Sequence, residues 1–440
     1  MKKFIQTIKN IYKIEELRKR IGYTLLLIVV YRIGSFICLP GIDPNVIADF
    51  SRSMANRTDA LSLLDMFSGG AFGNVSIFAL GVMPYISASI VIQLLGVFVP
   101  YFRKLQMEGE SGRRKMNQLT RYLTILILCI QGPAYMGNIM HQYPAAFLVS
   151  SKAYIIAATV ILLGGSMFVM WLGERITDRG IGNGISLIIM IGIIARLPRA
   201  LAAECISKFN SNMGGILLLV VEIVILFLVF IAAIALVQAV RRVPVQYAKR
   251  VIGNKQYGGV RQYIPLKVNA AGVMPIIFAQ AIMLFPIIFS RFDATRGFAA
   301  AMSNYTGVPY NLTFGILVVI FTYFYTAVTV NPTMMAEDMK KNGGFIPGVK
   351  PGKKTVEYLD TIMSRVTLPG SIFLAIIAIL PAFATLCGVN NQFASFFGGT
   401  SLLILVGVVL DTLQQIESHL LMRHYDGLMK TGRLTGRSGM

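Results

Sequence analysis

Apolar stretches of about 20 residues, the length that spans a bilayer as helix, recur along the chain at 21–39, 76–99, 119–140, 153–172, 183–203, 214–240, 270–290, 312–331, 366–387 and 399–416. They predict ten transmembrane helices. The fifth is interrupted by Arg196, Pro198 and Arg199 and is predicted to be short.

Two of the ten share a signature. Gly81-Val82-Met83-Pro84 stands in the second stretch and Gly272-Val273-Met274-Pro275 in the seventh. An isoleucine follows two residues later, Ile86 and Ile277, and then a glutamine within apolar sequence, Gln93 and Gln280. Proline removes a backbone donor and interrupts a helix, and such breaks in a membrane belong where protein or a water-filled cavity faces them. The fifth and tenth stretches correspond as well. Gly182-Asn183-Gly184-Ile185-Ser186 opens one, Gly398-Gly399-Thr400-Ser401 opens the other, and Ile189 and Ile404 stand three residues past each serine. Interrupted hydrophobic segments in corresponding positions of two halves point to an inverted repeat around a mid-membrane site. The fold predicted is therefore an all-α polytopic membrane protein in two inverted five-helix halves, 1–213 and 214–416, with a tail at 417–440.

Composition agrees. Of 440 residues, 55% are hydrophobic and only 14% charged, with a mean hydropathy of +0.66, against about a quarter charged in a soluble domain. The net charge of +21 finds its first explanation in topology. With the N-terminus inside, 32 of the 41 Lys and Arg fall in inside segments and 8 outside, Arg32 lying within a span. That asymmetry predicts that both termini are cytoplasmic. The N-terminus is basic and then apolar but has no small-residue cleavage pattern, so it is expected to be retained. Cys38, Cys129, Cys205 and Cys387 lie in or beside apolar runs, none in a Cys-x-x-Cys pair, and read as small buried hydrophobes.

Two inside loops are too long for simple turns. In 241–269, Val243, Val245 and Tyr247 alternate, Gly253-Asn254 can turn and Gln262-Tyr263-Ile264 can return, which predicts a hairpin. It carries Arg241, Arg242, Lys249, Arg250, Lys255, Arg261 and Lys267. The loop 332–365 holds Lys340, Lys341, Phe345-Ile346-Pro347-Gly348, Lys350, Lys353 and Lys354. Such charge orients a protein and binds anionic lipid; the length and the aromatic and Pro-Gly punctuation favour docking of a cytosolic partner. The end of the outside loop 40–75, about 63–74, is apolar yet too short to span, and includes Asp65, Met66, Phe67, Ser68, Gly69 and Gly70. A short helix folding back into the membrane and a surface-lying amphipathic turn both fit it.

The strings YRIGSF (31–36), MFSGG (66–70), SIFALGVMPYISASIVIQLL (76–95), EGESGRRK (108–115), MWLGE (170–174), RGIGNGIS (179–186), YAKR (247–250), PLKVNAAGVMP (265–275), FIPG (345–348) and FGGTSLLI (397–404) resemble the bacterial SecY family, channel subunits of the general secretion translocon. The resemblance covers nearly the whole chain. It implies ten spans around an hourglass pore in the bacterial cytoplasmic membrane, with no cofactor. It implies an aliphatic waist at Val82, Ile86, Ile185, Ile189, Ile277 and Ile404, and a plug at about 63–74 that includes Met66 to Gly70. It further implies a lateral gate that includes Ser87, Gln93, Gln280 and Phe285. Partner docking would fall on Arg241, Arg242, Lys249, Arg250, Lys255 and Lys350, for the SecA motor or a ribosome. SecE and SecG subunits, signal peptides, nascent chains and membrane lipid complete the implied partners. Val82 departs from the frequent isoleucine and Lys350 from the usual arginine, which loses the planar fork.

Two other classes fit parts of the sequence. A secondary transporter also suits an inverted repeat but places ionisable coupling groups in the membrane; the candidates are Arg32, Glu222 and Asp411, scattered over three spans. They read as locally paired or snorkelling. Gly109-Glu110-Ser111-Gly112 and Gly436-Arg437-Ser438-Gly439 fit a protease-like Gly-x-Ser-Gly. Both sit in basic segments outside the spans, and no His-Glu-x-x-His occurs.

Overall fold

The computed structural model describes residues 14–47, 65, 67–148, 152–210, 215–247, 250–252, 255–257, 261–283, 297, 302 and 306–431. Met66, Lys249 and Phe285 lie outside the described residues, and the side chains of Arg250 and Lys255 are likewise not described.

The helices are α1 (Glu15–Gly34), α2 (Met83–Phe98), α3 (Pro100–Met107), α4 (Glu110–Gln142), α5 (Lys152–Arg179), α6 (Gly184–Asn210) and α7 (Gly215–Gln238). After a β segment come α8 (Met274–Met283), α9 (Val308–Thr329), α10 (Pro332–Lys341), α11 (Lys353–Leu386), α12 (Asn391–Ala394) and α13 (Gly399–Thr431). Among the described residues seven helices are long and apolar enough to cross a membrane, and α2 and α3 together meet the same measure as a pair bent by 104°. Pro100 causes the bend by ending α2 and opening α3. α1 and α8 coincide with the first and seventh predicted spans. The fold is that of a helical polytopic membrane protein.

Two expectations change. The fifth span is not short: α6 runs 27 residues through Pro198. One missing backbone donor does not end a helix whose other ladder bonds continue in a medium that offers no alternative partners. Nor does the proline of either GVMP signature break a helix interior. Pro84 and Pro275 are the second residues of α2 and α8, where a proline's absent N–H would have lacked an intrahelical partner anyway. Residues 76–82, predicted as part of the second span, are turns and a bridge.

The described chain forms two compact units, one of Met1–Ala55, Leu61–Arg196 and Val408–Met440, the other of Asn56–Ala60 and Leu197–Gly407. In the first, α2 packs on α4, α4 on α5 and α1 on α5. Its main core gathers Leu39, Ile42, Val75, Leu128, Met136, Ile139 and Leu162 around the chain that leaves α1. Arg121 of α4 grips Glu174 of α5 through two bonds of 3.2 and 2.6 Å.

In the second, α9 packs on α8 and α11, and α7 on α11. The predicted hairpin is present. β1 (Val240–Tyr247) pairs antiparallel with β4 (Arg261–Lys267), Val243 opposite Ile264. Beyond them β2 (Arg250–Ile252) pairs with β3 (Lys255–Tyr257), Ile252 opposite Lys255. The other long loop supplies β5 (Gly344–Phe345), which adds to the free edge of β1 at Gln246 and Tyr247. Pro244 is tolerated in the middle strand because β5 is too short to reach it, so β1 is an edge there. Val243 and Val245 point together into a core with Leu266, Met339, Ile346, Leu359 and Met363. The two loops thus form one folded body.

Candidate functional site

The GVMP signature has the same backbone form in both units. Gly81 and Gly272 take the left-handed conformation, φ +51° and +63°, which glycine adopts at least cost. Each valine carbonyl then accepts the first helical bond, from Ile86 N–H to Val82 at 3.1 Å and from Ile277 N–H to Val273 at 3.4 Å. The repeat isoleucines therefore occupy equivalent first-turn positions. The second correspondence is also a pair of helix starts. Gly182 and Gly399 are left-handed, φ +82° and +67°, ahead of or opening α6 and α13. Asn183 caps α6 by accepting from Ser186 N–H at 3.3 Å. Val82, Ile189 and Ile404 are buried; Ile86, Ile185 and Ile277 are half-buried. The first unit carries Val82, Ile86, Ile185 and Ile189, the second Ile277 and Ile404.

Residues 68–75 run as successive turns, and α1, α4 and α6 hold them from three sides. Tyr31 and Arg32 of α1 donate to the Ser68 and Gly69 carbonyls at 3.1 and 3.2 Å. Tyr135 of α4 donates to the Phe72 carbonyl at 2.6 Å, and the two rings pack 4.6 Å apart. Asp65 is completely buried. Its Oδ1 accepts from Gly73 N–H at 2.7 Å, and its Oδ2 is ion-paired with Arg196 of α6. Its backbone carbonyl accepts from the Ser68 hydroxyl and from Gly70 N–H, both at 3.0 Å. Gly69 and Gly70 are left-handed, φ +66° and +93°. A Cβ on Gly69 would stand 2.7 Å from the Gly192 Cα, so the segment rests directly on the α6 backbone.

Of this network the expected plug at about 63–74 covers Asp65, Ser68, Gly69, Gly70, Phe72 and Gly73, with Ser68, Gly69 and Gly70 named singly. Tyr31 entered only as the first residue of YRIGSF, and Tyr135 and Gly192 carried no distinguishing signal. Asp65, Arg32 and Arg196 did: they are opposite charges in apolar surroundings, costly unless they meet.

Ser87 and Gln93 lie half-buried on α2, and Gln280 half-buried on α8. Gln93 donates to the Ser89 hydroxyl at 3.4 Å. It also lines a cavity of about 580 Å³ with Tyr85, Gln106, Arg113, Asn117 and Thr120. Arg241, Arg242 and Lys350 are exposed. Of the candidate intramembrane charges Arg32, Glu222 and Asp411, the first two are engaged locally and Asp411 is exposed. Glu222 meets Lys208 at 2.8 Å, Lys208 also meets Glu204 at 3.5 Å and the Gly388 carbonyl at 3.1 Å, and Glu204 accepts from Asn390 N–H at 2.9 Å. Among the described residues no group of His, Cys, Asp and Glu could hold a metal ion.

Equivalent helix openings in both units and a mostly apolar, multiply spanning helical body define a polytopic helical membrane protein. A solved structure described as that of a protein conducting channel superposes with a TM-score of 0.60 at 18% identity, covering 91% of this chain and 92% of that one. The Sec61 channel of a canine ribosome-channel complex gives 0.58 at 17%, with the same coverage. The family model described as SecY matches residues 76–413. Protein translocase subunit SecY of Chlamydia muridarum is 40% identical, over 98% of this chain and 99% of its own length. That of Halalkalibacterium halodurans is 43% identical, over 97% and 100%. The chain belongs to the SecY family.

Proposed function

We propose that the chain is the channel subunit of a protein translocase in a bacterial cytoplasmic membrane. It passes unfolded polypeptides and releases hydrophobic segments sideways into lipid. The observation that carries the reading is the pair of equivalent helix openings that set Ile86 and Ile277 in matching first turns, in a chain whose relatives are named translocase subunits.

In this reading Val82, Ile86, Ile185, Ile189, Ile277 and Ile404 form the waist. Aliphatic side chains bind no cargo specifically, and a narrow apolar constriction resists wetting, so ions face a barrier while a polypeptide can pass. Residues 63–74 are the plug. The halves 1–213 and 214–416 part at a lateral gate that includes Ser87, Gln93, Gln280 and Phe285. There, lipid competes for each segment. An apolar residue gains roughly 0.3–0.6 kcal/mol in the membrane and an Asp, Lys or Arg costs roughly 2.5–3.5. The sheet of β1, β4 and β5 faces the cytoplasm, as both termini do. There Arg241, Arg242, Lys249, Arg250, Lys255 and Lys350 receive the SecA motor or a ribosome, and SecE and SecG complete the complex.

A photo-crosslinking residue placed at Ile86 or Ile277 tests this. With a stalled secretory polypeptide both positions should label the polypeptide, whereas Leu217, 72% exposed on α7, should label lipid or a neighbouring subunit. Labelling of lipid alone from Ile86 and Ile277 overturns the reading.

A further inference from the structure

We propose that the ion pair between Asp65 and Arg196 is a positioning contact that sets how apolar an incoming segment must be to open this channel. The inference rests on the channel reading and names a specificity determinant within it.

The Asp65 side chain is wholly buried and Arg196 is 24% exposed. The carboxylate is shut off from bulk solvent, and Gly73 N–H and Arg196 supply its partners. The two charges sit on parts that must separate if residues 65–76 move: Asp65 at the start of the turn segment, Arg196 on α6. Arg32 of α1 holds the same segment at the Gly69 carbonyl. The neighbouring contacts from Tyr31 and Tyr135 join neutral groups, so Asp65 and Arg196 form the described contact with the most to lose when one side is removed.

A buried pair adds little stability compared with apolar residues of the same shape, but deleting one partner leaves a charge out of water. Loss of the Arg196 charge alone should shift the closed-to-open equilibrium by roughly 150- to 4,000-fold, the size seen when buried pairs are broken. Asp65 regains water once the segment leaves its seat, so the shift favours opening. Each apolar residue of an incoming segment biases its partition by roughly twofold. The lower end of that shift is thus worth about seven apolar residues. The pair holds the channel shut against segments that fall short by that margin.

The test uses the full complex in proteoliposomes with its motor ATPase and a series of signal segments of increasing leucine count. The readouts are the leucine count at half-maximal transport and the ion conductance without cargo. Arg196→Met should move the midpoint down by several leucines and raise resting conductance. Asp65→Asn together with Arg196→Met buries no charge and keeps an acceptor for Gly73, so it should move both readouts back toward wild type. A purely packing role predicts the opposite, with the double variant at least as perturbed as the single. An Arg196→Met channel with an unchanged midpoint, or a double variant no nearer wild type than Arg196→Met, overturns the proposal. If Arg196→Met fails to accumulate, a double variant that accumulates with a wild-type midpoint supports the pair, and one that also fails overturns it. Wild-type complex that transports none of the series sinks the channel reading itself, an outcome distinct from an active channel with an insensitive midpoint.

Discussion

Gly192→Ala probes the seat of the 65–76 segment with a single methyl group. An ideal Cβ at Gly192 would lie 2.9 Å from the Phe67 carbonyl oxygen, 3.1 Å from the Gly69 amide nitrogen and 3.4 Å from its Cα. All three are backbone atoms, which cannot swing aside as a side-chain tip does. The segment must retreat by a few tenths of an ångström, and that strains the bonds from Arg32 to the Gly69 carbonyl and from Gly73 N–H to Asp65. Overpacking of this kind costs about 1–3 kcal/mol. The cost falls on the seated segment, so the closed state should lose roughly 5- to 150-fold in population. Planar-bilayer recording of the purified complex without cargo should show more frequent openings. Gly137→Ala on α4 is the control, since a Cβ there meets nothing within 4 Å; it should leave the openings unchanged. If Gly192→Ala and Gly137→Ala both record as wild type, the segment does not close the channel where it rests on α6.

Ile404→Asn puts a buried amide where the side chain is 6% exposed; resting conductance should rise, and an unchanged value would remove Ile404 from the waist. Lys208→Met removes the cation shared by Glu204 and Glu222. It should cost about 3–5 kcal/mol, read as earlier thermal unfolding in detergent, with partial recovery when Glu222→Gln is added. Val245→Ala hollows the core beneath the two joined loops, where Val245 is fully buried. A loss of about 2–3 kcal/mol should weaken binding of the proposed cytosolic partner while α9 and α11 keep their protection in hydrogen exchange.

The spans were legible because the bilayer reads length and hydropathy locally, one segment at a time. For the same reason the hairpin in 241–269 was legible: Val243, Val245 and the Gly253-Asn254 pair lie within one short stretch. The repeat was legible too, as two short signatures, although its physical meaning shifted. Gly81 and Gly272 set up helix starts, and Pro84 and Pro275 sit harmlessly in first turns. Pro198 misled the reading because proline's local cost was weighed without the ladder around it, and α6 continues past it.

Tertiary structure alone decided which distant groups meet. Asp65 finds Arg196 across 131 positions, and β5 leaves the second long loop to extend the sheet of the first. Gly192 lets a turn segment rest on a helix backbone where any side chain would intrude. Periodicity and charge counts sum over neighbours in sequence, whereas a buried charge is tolerable only beside one particular partner in space. No local pattern along the chain names that partner.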